Sequence, residues 1–155
     1  MMPLVLIPML HRATHRVGLF LQARLPGVTQ GEAHLLAHLH ECRGGDATVG
    51  ELHRAWAHKR STLTDMLDRL ECRGLVRRAV LPTDRRSVLV RLTAAGRRQA
   101  AAVHRALSSL ERGVLAAASG GRTLAGFTAV APALAEQGGA PAPRAGRARH
   151  GRQAQ

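Results

Sequence analysis

Arginine carries most of the chemistry this chain could do. Arg77, Arg78, Arg85, Arg86 and Arg91 lie close together, with Asp84 the single acid among them. A guanidinium stays charged, and its planar fork matches phosphate oxygens, so such a cluster suits a polyanion. Just upstream, Arg60, Ser61, Thr62, Thr64, Asp65 and Arg69 crowd one short stretch. Hydroxyls and guanidinia placed this way can reach phosphates and base edges. Asp65 would repel phosphate but could accept a hydrogen bond from cytosine N4. Blander roles compete: one hydroxyl should cap a helix, and a surface arginine pair is worth only about 0–1 kcal/mol. Arg54 and Lys59 read as peripheral.

Histidine is the other abundant reactive type. His34 and His38 share a helix face at i, i+4, His40 and Cys42 follow, His11 and His15 repeat the spacing, and His104 lies further on. Each pair fixes two ligands, whereas zinc takes three or four, so no metal site is expected. Cys42 and Cys72 have no CxxC spacing and imply no disulfide framework. Cys72 falls near a helix C-terminus, where the dipole opposes a thiolate, so no redox switch is read. The chain has no Gly-rich phosphate loop, no GxSxG and no HExxH. Neither an enzyme nor a cofactor is expected.

The elements that must position the arginines are readable from spacing. Thr48 with Glu51 has capping-box spacing, and Val49, Leu52 and Trp56 predict a short helix over 49–56, with Trp56 a core wedge. Residues 57–60 fit a turn. Arg60 or Ser61 opens a second helix, whose Leu63, Met66, Leu67 and Leu70 form one buried stripe. Gly74 supplies the left-handed stop and Leu75 its apolar contact. Residues 75–80 and 87–92 are strand-like, with Pro82, Thr83 and Asp84 between them. Helix, turn, helix and basic hairpin in this order describe a winged helix-turn-helix. One helix would enter a major groove while the hairpin lies along the phosphates or in the minor groove.

The stretch resembles the MarR family of bacterial transcription regulators. The family's wing signature is an aspartate, one residue, an arginine, five residues, then Leu-Thr. Here it stands as Asp84, Arg86 and Leu92-Thr93. VTQGEAHLL (28–36) is similar to the segment opening the family's second helix, and STLTDMLDRLECRGLV (61–76) to its recognition helix and exit. TAAGR (93–97) is similar to the start of its long C-terminal helix, and the likeness covers about residues 10–137. The chain departs at His53, where a small residue is usual, and at Asp65, where a neutral or basic one is. The resemblance implies that Arg86 reaches the minor groove while Asp84 orients it. It also implies dimerisation through N- and C-terminal helices and a small-molecule effector bound between those helices and the reading heads.

The 155 residues fit one domain of ordinary size. Aromatics are nearly absent (Phe20, Phe127 and Trp56, with no tyrosine), so a core of Leu, Val and Ala in packed helices is expected. The net charge is +13, a surplus that favours nucleic acid. Residues 48–93 hold ten bases against five acids, a net of +5. An arginine bias in a GC-rich coding sequence accounts for part of the total, but not for its clustering on the hairpin.

Along the chain, Pro3 and Pro8 predict an irregular lead-in over 1–9. An apolar stripe of Leu10, Ala13, Val17, Phe20 and Leu21 predicts a helix to about 25, which Pro26-Gly27 stops. Thr29 with Glu32 caps the next helix, to about Glu41, and residues 43–46 turn into the motif. Thr93 caps a long helix ended by Gly120-Gly121, and a shorter helix follows over about 123–136, interrupted at Pro132. The tail, 138–155, carries four arginines and no acid and reads as disordered. The apolar start is too short for a membrane span and lacks the basic flank and cleavage site of a signal peptide. A soluble cytoplasmic protein is the expectation.

The expected fold class is mainly α with a small β-hairpin wing: a winged helix-turn-helix at about 46–93, with dimerisation helices at about 10–25 and 93–137. The expected function is a homodimeric, ligand-responsive repressor on a pseudo-palindromic double-stranded operator. The DNA-binding set is Arg60, Ser61, Thr62, Thr64, Asp65, Arg69, Arg77, Asp84, Arg85 and Arg86, with no membrane partner. Its main rival is a sequence-tolerant architectural DNA-binding protein, which the basic tail and Asp65 favour. An adaptor that kept the fold and lost its DNA contacts is a further one.

Overall fold

A computed structural model describes residues 4–56, 60–81, 84–118, 125, 126, 128, 130 and 132–134, with the backbone alone at Trp56 and Arg85. The turn 57–59, the wing tip 82–83, the stop at Gly120-Gly121 and the tail 138–155 lie outside these residues, as does the expected packing of Trp56. The chain divides into two compact units, Met1–Glu111 and Arg112–Gln155. The elements run α1 (Leu6–Arg24), α2 (Gln30–Glu41), a 3-10 turn (Arg43–Gly45), β1 (Asp46–Thr48), α3 (Val49–Trp56), α4 (Arg60–Cys72), β2 (Val76–Leu81), β3 (Asp84–Leu92) and α5 (Ala94–Ala117).

The expected lead-in over 1–9 needs correction, because α1 already begins at Leu6. Pro8 then sits in the first turn, where an amide has no intrahelical acceptor to lose, so its ring is tolerated. The α1 register buries Leu21 and half-buries Val17 and Phe20. Its start leaves Leu4, Val5, Leu6, Ile7 and Met9 exposed.

Helix α2 is the centre of the first unit and buries Ala33, Leu35, Leu36, Ala37 and Leu39. Its capping box is complete: Glu32 N donates to Thr29 Oγ1 and Thr29 N donates to Glu32 Oε2. Leu52 of α3, the α4 stripe of Leu63, Met66, Leu67 and Leu70, and Val103 of α5 close the same core.

The sheet has three strands in the order β1-β3-β2, all antiparallel. Strand β1 was not expected. It is three residues long, and its strand character comes from pairing, with Ala47 opposite Val90. Arg91 of β3 reaches across to Asp46, Nη2 to Oδ2 at 2.8 Å. The hairpin itself runs from Val76 opposite Leu92 to Val80 opposite Val88, with a register shift at Val80/Leu81.

Helix α4 ends as its glycine implies. Gly74 has φ +66°, its amide donates to Glu71 O, and the Leu75 amide donates to Leu70 O; together these make a Schellman closure. Thr93 then ties three elements. Its hydroxyl accepts from Gly96 N, capping α5, and lies 2.6 Å from Gly74 O. Gly96 is needed here, since a Cβ built on it falls 1.8 Å from Leu75 O.

In the second unit, α5 runs on to Ala117, with Ala118 N donating to Val114 O. The described residues of 123–136 are helical, Pro132 among them. Val114 and Leu134 are exposed.

Candidate nucleic-acid interface

The first helix of the helix-turn-helix, α3, is fixed by its capping box. Glu51 accepts from Thr48 N at 2.7 Å and from its hydroxyl, and Thr48 Oγ1 accepts from Glu51 N. The Thr48 amide, then its hydroxyl, hold the Glu51 carboxyl below its ordinary pKa. Helix α4 starts at Arg60, so Ser61 lies inside its first turn and is not the cap. With Leu63, Met66, Leu67 and Leu70 inward, Arg60, Ser61, Thr62, Thr64 and Asp65 are all exposed near the start of α4. The Thr64 hydroxyl donates back to Arg60 O at 3.0 Å, which leaves its lone pairs to accept.

Between α3, the start of α4 and the wing runs an open groove of about 540 Å³. Arg60 and Thr64 of α4, Arg78 of β2 and Arg86 of β3 line it. Arg54 and His53 of α3 line it too. Arg54 was read as peripheral. Only the crossing of α3 over α4 brings it beside Arg60, and no local spacing reveals that.

At the wing, Asp84 accepts from Arg86 N at 3.0 Å and from Ser87 Oγ at 2.7 Å. The serine hydroxyl, then the amide, hold its carboxyl below the usual aspartate range. Asp84 therefore orients Arg86 through the backbone. Arg85 stands next to it in β3, its side chain outside the described residues.

Two arginines do not join this groove. Arg77 is exposed on β2, but it lies with Arg98 of α5 beside Gly74 and Thr93. Arg98 carried no motif signal, because it sits in helical sequence beyond the wing. Arg69 has a partner in the core as well: its Nε donates to Glu32 Oε1 at 2.8 Å while about half of its side chain stays exposed, at 52%, and Glu32 is only 2% exposed. Arg73 Nη1 reaches the same carboxylate at 3.4 Å and Gly27 O at 2.8 Å. Burial alone would raise the Glu32 pKa, but the Arg69 hydrogen bond, the Thr29 amide and the two guanidinium charges outweigh it and lower it.

Among the described residues, no group of three or more His, Cys, Asp or Glu side chains could hold a metal ion. His104 Nε2 lies 3.3 Å from Glu41 Oε1, and its ring is 5.0 Å from that of His40. Burial, then Glu51, Asp46 and Glu41, push the Cys42 thiol up, away from thiolate reactivity. No described helix is long and apolar enough to cross a membrane.

A model of the MarR family matches residues 28–88. A probable transcriptional regulator from Pseudomonas aeruginosa is 29% identical over 78% of this chain and 92% of its own, with a TM-score of 0.64. A mutant MarR from E. coli, complexed with operator DNA, is 26% identical over 79% of this chain and 90% of its own, at a TM-score of 0.66. Overoxidised AbfR bound to DNA is 30% identical over 68% of this chain and 77% of its own, at a TM-score of 0.59. A search of curated proteins gave no match.

Proposed function

The chain belongs to the MarR family, and from that premise we propose that it is a homodimeric, sequence-specific DNA-binding transcription regulator, a repressor released by a small-molecule effector. The observation that carries this reading is the convergence of Arg60 and Arg86, from the recognition helix and the wing, on one groove. With α4 in a major groove and the wing in the adjoining minor groove, the phosphate backbone between them must pass along that groove. Arg54, Arg60 and Arg86 would then neutralise phosphates, while Ser61, Thr62 and Asp65 face base edges. Arg77 and Arg85 would serve the flanking backbone.

The dimer follows from apolar surface. Leu4, Val5, Leu6, Ile7 and Met9 stay exposed at the start of α1, a patch that a second copy would cover. Two-fold symmetry would set the two α4 helices about one DNA turn, roughly 34 Å, apart. Residues of about 46–93 act as the reading unit, with the helices on either side as its base. An effector between base and heads would change the head spacing and so release the operator. Two similar proteins were solved on DNA, which supports the partner. None of this geometry calls for catalysis, and the site of action is the cytoplasm, where the DNA is.

The test is a salt titration of the purified chain on duplexes it selects from genomic fragments and on random duplex. The proposed regulator binds the selected duplex at least about 10³-fold more tightly. Equal affinity and equal salt slope on both would leave the architectural reading, to which the exposed Asp65 lends some support.

A further inference from the structure

Of the three carboxylates on helix α4, Asp68 and Glu71 lie one turn apart beyond Asp65, and a single arginine of the wing engages both. The Arg78 backbone amide donates to Glu71 Oε1 at 2.9 Å, and its Nε donates to Glu71 Oε2 at 2.7 Å. Its Nη2 meets Asp68 Oδ1 at 2.6 Å as well as Glu71 Oε2. The Arg78 side chain is 30% exposed, against 59% for Arg91 on the neighbouring strand. Strand alternation sends Arg77 to the other face of β2.

We propose that Arg78 is a positioning residue: clamped by Glu71 and Asp68, it sets the angle of the wing to the recognition helix, and so the register of both on one duplex. It lines the same groove as Arg60 and Arg86, but with its guanidinium held by the two carboxylates its role is to position the wing rather than to neutralise a phosphate. This rests on the DNA-reading function proposed above. Gly74 and Thr93 join wing and α4 at the foot of the hairpin, and β1 holds β3 as far as Leu89. Strand β2 is the outer strand, which β1 does not touch. A clamp on Arg78, partway along β2, ties that strand directly to α4, because a fork held by two carboxylates has one orientation. The clamp also pairs both acids with a cation, so that α4 keeps them at less electrostatic cost to binding.

Charge makes the proposal separable from simple electrostatics. Removing an acid from a DNA-facing helix should tighten binding if field alone matters. If Glu71 holds the wing, removing it should loosen specific binding. The experiment compares Glu71→Ala, Glu71→Gln, Arg78→Ala and the Glu71→Ala/Arg78→Ala double variant with the unaltered chain, on selected and random duplexes across a salt series. Each single variant should weaken binding to the selected duplex by about tenfold. Random-duplex binding should be unchanged or tighter in the Glu71 variants, and the salt slope unchanged in Arg78→Ala. The double variant should lose little more than either single one, since both break one bridge. Glu71→Gln keeps an acceptor for the Arg78 amide and so reports on the charge even where the alanine variant is less stable.

Selected-duplex affinity equal to or above that of the unaltered chain in both Glu71 variants would overturn the proposal. A salt slope lowered by about one in Arg78→Ala would do so too, by marking a phosphate contact. An unaltered chain that cannot tell the two duplexes apart would instead bring down the regulator reading itself.

Discussion

Arg69 of the recognition helix donates from Nε to the Glu32 carboxylate at 2.8 Å, joining an exposed guanidinium to an acid sealed at the start of α2. A residue that the pattern of α4 assigns to DNA thus holds two helices of the core together. Replacing it strands a buried charge that only Arg73 and the Thr29 amide still satisfy. Arg69→Ala should therefore cost about 2–3 kcal/mol of unfolding free energy, measured by urea denaturation. It should leave the salt slope of DNA binding unchanged. A slope lower by about one with stability intact would return Arg69 to the phosphate contacts.

The same carboxylate gives stability a pH dependence of defined sign. Glu32 and Glu71 both have folded-state pKa values lowered below the ordinary one. Their contribution is present in full above the ordinary glutamate range, and is lost as pH falls through the lower folded values. The unfolding midpoint in urea should decline on acidification through that window. The Glu32→Gln variant should start lower and decline less steeply. A variant curve parallel to that of the unaltered chain would show that Glu32 is not the group titrating.

Arg86 and Arg60 should behave as phosphate neutralisers. Arg86→Ala and Arg60→Ala should each lower the salt slope of binding by about one and weaken selected and random duplexes alike. Fluorescence anisotropy over a salt series measures both quantities. If Arg86→Ala weakens the selected duplex alone, Arg86 reads minor-groove shape or bases in place of phosphate.

Gly96 has no room for a side chain. A methyl there would meet the Leu75 carbonyl oxygen, a backbone atom held by the closure of α4. Gly96→Ala should destabilise by about 3 kcal/mol, despite the better helix propensity of alanine. Thermal unfolding checks this, and a rise in midpoint would mean that α5 can lift away from Leu75 without loss.

Much of this architecture could be read before any coordinates. Thr29 with Glu32, and Thr48 with Glu51, mark their helix starts by local spacing, and both boxes form. The stripe and glycine stop of α4 are equally local. What escaped depends on partners far along the chain. Strand β1 exists because Ala47 meets Val90, and Pro8 fits a helix because of where that helix begins. The site shows the same division. Arg60, Arg78 and Arg86 share a groove, but Arg78 there, like Arg69 outside it, is engaged by carboxylates. Residue type announced a polyanion surface, but only packing decides which arginines remain turned toward it.

The Thr93 hydroxyl touches the Gly74 carbonyl just past the end of one rod while holding an amide in the first turn of another, and Gly96 seats that second rod flush against the joint. The start of α5 and the end of α4 therefore share a rigid elbow with no slack between them. A tilt of the first turns of α5 is delivered to α4 as leverage, without being absorbed by an intervening loop.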